Sequence, residues 1–288
     1  MANTLSTKTL RDKYRKSSLE VALRTALVAE KICEVDRSDS YTIQAPYLTA
    51  PSVTVQASAG TYSPSAVTTT NDTLTVADEV VVATHIFGFE DIISKFNLWM
   101  DFAEDQAGQY AIAVDKWVLN VILEDGTGTY TTPVGGFTTA SNINVIMSNL
   151  ISKVAGYSET YKGLYLVIEN TDLPGFIQAQ ATNGFNFADA ALNNGFMANY
   201  MGVDVYVVRS GTFDDETTST TSGTKTWSND GHRLFGVKGV TTYAAPRGVN
   251  YEEKDVSGKT GKEIVTWGMI GAKVWAPTAA LTVDITLA

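Results

Sequence analysis

Apolar residues recur along this chain with two periods, and the points where the period changes divide it into segments. Between residues 98 and 124, Tyr110, Val114, Trp117, Val118 and Val121 fall at i, i+4, i+7, i+8 and i+11, one face of a helix. Helix formers surround them and no proline intervenes before Pro133. A single helix roughly 40 Å long is predicted, with Gly108 as its weak point. Asp125-Gly126-Thr127-Gly128 is the turn that stops it. A shorter helix is predicted over 141–154, with Ile143, Ile146, Met147, Leu150 and Ile151 on one side. Near the N-terminus Leu19, Leu23 and Leu27 repeat at i, i+4 beside Ala22 and Ala26. A helix of that length is marginal alone. Its stripe joins the core of its own chain or crosses to a neighbour, and periodicity leaves both open.

The other period is two. Residues 41–86 are rich in Thr, Ser, Val and Ala, punctuated by Pro46, Pro51 and Pro64, with β signals at 53–55, 74–76 and 80–84. They suit a long two-stranded hairpin with Gly60, Ser63, Pro64 and Ser65 at its tip. Such a hairpin is hardly stable by itself in water, so it needs a surface to lie on. A buried strand is predicted at 164–168, another strand at 203–208, a turn at 170–175, and an exposed, mobile polar loop at 210–230. Residues 263–274 read as β structure broken by Gly268 and Gly271. Leu281, Val283, Ile285 and Leu287 alternate with Thr282, Asp284 and Thr286 as a last strand. The fold class is α+β, with strands on both sides of a helix-rich middle and no internal repeat.

Composition narrows the functional classes. Hydrophobic residues at 44% and charged residues at 18% place the chain with ordinary globular proteins. No apolar run is long enough for a bilayer, and the basic N-terminus is not followed by the apolar core of a signal peptide. The default expectation is a cytoplasmic product, in which the Asn71-Asp72-Thr73 glycosylation triplet carries no meaning. Cys33 is alone and only His85 and His232 accompany it, which argues against a disulfide or a zinc site. The charge of −10 is uneven: eight of the 21 Lys and Arg fall in residues 1–37, a basic arm on an acidic body. Charge alone favours a solvated basic tail; such an arm also suits the body of an identical neighbour, or nucleic acid. It is not interleaved with aromatics and the body repels phosphate, so direct, high-affinity DNA binding is not predicted.

Motifs for chemistry are weak. Gly258-Lys259-Thr260 resembles the end of a phosphate loop, but Glu253 stands where the earlier glycine belongs, and a turn between strands is the better reading. Asp125-Gly126-Thr127-Gly128 lacks the alternating oxygen ligands and closing Glu of a calcium loop. Glu104/Asp105, Asp214/Asp215/Glu216 and Glu252/Glu253 suit glycosidase chemistry only if they face each other across a cleft. No Gly-x-Ser-x-Gly elbow occurs. No catalytic residue, cofactor-binding residue or metal ligand is assigned.

The order of these parts resembles a known family. Residues 111–128, AIAVDKWVLNVILEDGTG, are similar to a spine helix entering an Asp-Gly-Thr-Gly turn, with Pro133-Val134-Gly135-Gly136 following. Gly202-Val203-Asp204-Val205-Tyr206-Val207 looks like a strand of that family's axial domain, and 243–277 like the strand pair closing its peripheral domain. The family is the major capsid proteins of tailed bacteriophages, whose capsid fold encapsulins share. The resemblance implies an N-terminal arm (1–40), an extended β-hairpin loop (41–86), a peripheral domain with the spine helix (87–149) and a mixed α/β axial domain (150–244). It then implies a return to the peripheral domain (245–276) and a C-terminal strand re-entering the axial one (277–288).

The function so implied is a virion subunit, made in the host cytoplasm, that self-assembles as pentamers and hexamers into an icosahedral shell around a double-stranded DNA genome. Its expected partners are itself, a portal, separate scaffolding or decoration proteins, and a genome bound without sequence specificity; no membrane is involved. Expected inter-subunit contacts are Arg11, Arg15, Lys16, Leu19, Leu23 and Leu27 in the arm, Val53, Val55, Tyr62 and Pro64 in the hairpin, and Asp214, Asp215 and Glu216 on the body. Some members weld neighbours through a lysine of the extended loop. No Lys or Arg occurs between Arg37 and Lys95, so no such crosslink is expected. The short arm also implies a separate scaffolding protein or none. Competing readings are an encapsulin-type cargo compartment, a Thr/Ser-rich tail or adhesion protein, and a carboxylate hydrolase.

Overall fold

The architecture follows from one helix running between two sheets. It is seen in a computed structural model, which describes residues 27–48, 68–87, 97–155, 163–183, 196–220, 223–246, 248–255, 258 and 260–288. A one-turn helix α1 (Ala29–Ile32) and a short strand β1 (Glu34–Asp36) lead into β2 (Thr42–Leu48) and β3 (Thr69–Thr75), which pair antiparallel as a separate two-stranded ribbon. The next strand, β4 (Asp78–Phe87), leaves the ribbon, so the third β signal of 41–86 does not belong to the hairpin. It pairs instead with β14 (Gly261–Val274), which also holds β12 (Thr241–Ala244) and β13 (Asn250–Asp255); β1 joins this sheet through β12.

Gly268 and Gly271 do not break β14. A Cβ on Gly268 would lie 2.2 Å from the Tyr110 hydroxyl oxygen, so the missing side chain lets the long helix approach the sheet. That helix, α2 (Asn97–Asp125), was expected to bury one face. Ala107, Tyr110, Ala111, Val114 and Val118 do form such a stripe, but from Trp117 to Leu123 every residue is buried. The cause is a second sheet on the opposite side, β5 (Gly128–Thr131), β15 (Thr282–Thr286), β11 (His232–Val237), β6 (Leu164–Glu169), β8 (Val203–Val208) and β7 (Phe196–Tyr200), in that order.

Both faces of this second sheet are covered, which explains why β6 reads as an unbroken apolar run. Tyr165 and Val167 face the long helix, whereas Leu166 and Ile168 face α3 (Ala140–Val154) and α4 (Leu173–Asn183), the alternation a strand imposes. The turn expected at 170–175 forms over 170–172, where Asp172 donates its N–H to the Glu169 carbonyl at 3.0 Å, and helix α4 takes the rest. Pro174 sits in its first turn, where a missing N–H costs nothing. Gly175 lets that turn pack on the backbone of Phe137, because a Cβ there would fall 2.0 Å from the Phe137 carbonyl oxygen.

Strand pairing also crosses the expected domain limits. β5 and α3, expected with the spine helix, belong to the six-stranded unit through pairing with β15 and packing on Leu166 and Phe235. β12, expected in the axial part, pairs in the other sheet. Nor is 210–230 a loop throughout: 210–214 is turn and bend, but β9 (Glu216–Thr220) and β10 (Gly223–Trp227) form an antiparallel hairpin that buries Trp227, the β-propensity of its threonines outweighing their polarity.

Candidate functional site

The described residues present exposed surfaces and the tethers that hold them. The β2–β3 ribbon is largely exposed: Leu48 is 67% exposed, and Thr42, Gln44 and Pro46 alternate with half-buried Ile43, Ala45 and Tyr47. Its root is fixed on one face. Leu74 and Val76 pack with Ala244, and Ile43, Met269 and Trp275 close around them. Next to this cluster the Asp72 carboxylate accepts the Ala276 N–H (3.0 Å) and the Thr73 N–H (3.0 Å) and pairs with the Lys273 ammonium. Lys273 also donates to the Thr73 carbonyl at 2.8 Å. Burial alone would raise the Asp72 carboxyl, but Lys273 and the two N–H donors hold it below its ordinary value.

A second tether fixes the N-terminal segment. Asp115 sits buried on α2, its two carboxylate oxygens accepting the backbone N–H groups of Val28 (3.0 Å) and Ala29 (2.9 Å). Burial pushes this carboxyl up to about 7, against the pull of those N–H groups and of Lys31 and with a further push from Glu30. Leu27, Val28, Ala29 and Ile32 bury beside it, and Gly239 donates its N–H to the Ile32 carbonyl at 3.0 Å.

The acidic surface residues sit on a braced loop. Arg233, buried on β11, pairs with Glu169 (3.2 Å) and Asp172 (2.5 Å). Glu169 in turn accepts the N–H groups of Gly211 (3.1 Å) and Phe213 (3.2 Å), and the Asn120 amide donates to the Thr212 carbonyl (2.8 Å). Asp214 and Asp215 emerge from this loop exposed, and an Asp215 oxygen accepts the Asp230 N–H at 3.0 Å. Glu216 is engaged by Lys116 of α2 at 2.5 Å. From the same hairpin Lys225 lies 4.6 Å from the centre of the Trp117 ring and 3.4 Å from Asp78, strapping the hairpin over the long helix.

The expected contact residues therefore divide. Arg11, Arg15, Lys16, Leu19, Leu23, Val53, Val55, Tyr62 and Pro64 lie outside the described residues. Leu27 is 3% exposed and packed in the core of its own chain with residues of α2, one of the two readings its stripe left open. Within the expected arm, β1 is a strand paired with β12. Asp214 and Asp215 are available at the surface, and Glu216 only in part.

No family model matches the sequence, and no curated protein matches it. Solved structures do. The capsid of the cyanophage P-SCSP1u gives a TM-score of 0.66 at 14% identity, over 91% of this chain and 88% of that one. Mycobacterium phage Che8 gives 0.62 at 15% identity, over 87% and 88%. A virus-like particle from Pyrococcus furiosus gives 0.61 at 9% identity, over 95% and 98%. The chain has the tailed-phage capsid fold. At these identities what is shared is the fold, and the likeness covers 87–95% of this chain.

Several residues that organise this capsid-fold chain escaped the reading of its sequence. Asp115 left a signal, a carboxylate inside the most apolar stretch of the long helix. Asp72 and Lys273 left none, because 201 positions separate two residues that each look like ordinary surface charge.

Proposed function

We propose that this chain is the shell-building subunit of a tailed phage, a structural and non-enzymatic protein that packs as pentamers and hexamers around a double-stranded DNA genome. The observation that carries the reading is the likeness to phage capsids over about nine-tenths of both chains. The β2–β3 ribbon supports it. A two-stranded ribbon with one anchored root does not stay ordered over its exposed length without another surface, and a neighbouring copy supplies one. In this assignment the ribbon begins the extended loop, α2 is the spine helix, and the six-stranded sheet with α3 and α4 is the axial domain.

Heterologous contacts that close into rings let one chain tile a shell. The basic residues 1–16 reach the acidic body of another copy, where Asp214 and Asp215 stand ready, each exposed pair contributing little and the set contributing by number. The genome is enclosed without base-specific contacts. Portal and separate scaffolding or decoration proteins complete the particle, assembled in the host cytoplasm. Overexpression followed by negative-stain imaging tests this: closed shells are expected, and only monomers or trimers would refute it.

One observation favours a second reading. The Pyrococcus virus-like particle matches over 98% of its length, consistent with an encapsulin-type compartment that encloses a protein cargo. Nuclease-protected DNA in particles purified from their natural source supports the phage reading, and a stoichiometric enclosed enzyme supports the compartment.

A further inference from the structure

We propose that Lys273, bonded to Asp72 and Thr73, is a positioning residue that sets the angle at which the ribbon leaves the body, and thereby the uniformity of the assembled particle. The inference rests on the shell reading and names the residues through which it would act. Three parts of the molecule meet at Lys273. The ribbon is present through Asp72 and Thr73 of β3, both bonded to the ammonium. The sheet is present through β14, which carries Lys273 one residue before its end at Val274. The long helix is present through its last residue, Asp125, whose carboxylate accepts the Val274 N–H and lies within electrostatic reach of Lys273.

The apolar contacts at the root do not fix the angle unaided. Leu74 and Val76 are buried, but they lie at the base, where a ribbon can tilt about them with little loss of contact. Asp72 lies two residues farther out on the same face, since residues i and i+2 of a strand share a face. Bonds there resist rotation about the base. They are directional, and one of them, from the Ala276 N–H, comes from backbone that does not swing as a side chain does. Past Asp72, Thr69, Thr70 and Asn71 are exposed. A residue three positions farther along a strand is roughly 10 Å away, so a tilt of about 10° displaces it by roughly 2 Å. A displacement of that size exceeds what a packed contact with a neighbouring copy tolerates without rearrangement.

The test compares wild-type protein with Lys273→Met, Asp72→Asn and Lys273→Arg. Hydrogen exchange on the dissociated full-length chain reads the ribbon, and particle-diameter distributions from electron micrographs read the assembly. Lys273→Met is expected to exchange about tenfold faster over 69–75 with the rest of the chain unchanged, the consequence of losing two bonds to a partly buried cation. Its particles are expected to spread in diameter or remain open, with Asp72→Asn intermediate and Lys273→Arg restoring both readouts. Uniform wild-type shells alongside equally uniform shells of Lys273→Met and Asp72→Asn would overturn the proposal and leave the shell reading intact. Wild-type protein that forms no particles would overturn both. If Lys273→Met loses its helical circular dichroism, the Asp72→Asn diameters decide.

Discussion

Replacing Asp115 by asparagine changes one atom in a buried tether, and the structure specifies how the effect depends on pH. The carboxylate faces two backbone N–H groups, one per oxygen. An amide keeps one acceptor and turns a donor toward the other N–H, so one buried N–H is orphaned at a cost of about 1–3 kcal/mol. Against this stands the cost of burying charge. The folded carboxyl titrates near 7, raised by burial, whereas an unfolded aspartate titrates at roughly 3.9. The folded chain therefore binds a proton more readily than the unfolded one. The stability this gives is fully present below about pH 4 and is lost as pH rises through about 7. The slope in that window is at most about 1.4 kcal/mol per pH unit, about 4 kcal/mol across it. The amide of the Asp115→Asn variant does not titrate. That variant is thus expected to be less stable than wild type at pH 5, with the gap closing or reversing by pH 8. Chemical denaturation of dissociated subunits across this range measures it. Parallel stability curves for the two proteins between pH 5 and 8 would show that Asp115 is already ionised in the fold, and would sink the reasoning.

Other outcomes follow from geometry already described. Gly268→Ala places a methyl 2.2 Å from the Tyr110 hydroxyl oxygen and should cost about 1–3 kcal/mol in thermal or chemical unfolding, with Tyr110→Phe in the same chain recovering part of the loss. Arg233→Met strands Glu169 and Asp172 as buried charges and should destabilise by about 3–5 kcal/mol, read from a denaturation midpoint. Deleting residues 1–16 should abolish particles while leaving the subunit folded; unchanged shells in micrographs would contradict the role given to the basic segment. Denaturing gels of purified particles should show a single monomer band, since 38–94 contains no lysine for a covalent weld.

Much of the fold was legible because burial and period agree in its main elements. The long helix, α3, β6 and β8 each carry an apolar pattern matched to their own geometry, and each appears within a residue or two of where the pattern puts it. What failed had a local signal opposed by a distant partner. Pro174 and Gly175 read as a turn because the backbone of Phe137, which needs the glycine, lies 38 residues earlier. The Thr-rich β9–β10 hairpin read as a loop because what holds it is the face of Trp117 and the carboxylate of Asp78. Leu27 shows the limit of a stripe: i, i+4 spacing says that a face is buried, and only tertiary packing says by whom.

The order of strands in the six-stranded sheet also bears on when a subunit can exist at all. β15 lies between β5 and β11 and pairs with both, one parallel and one antiparallel. Until residues 282–286 have left the ribosome, β5 has no partner in that sheet and α2 lacks part of its floor. Pairings of such sequence separation form late and slowly. A chain in which residues 282–286 are still unpaired thus has an incomplete six-stranded sheet. In the shell reading, such late pairings would keep the folding of a subunit ahead of its assembly.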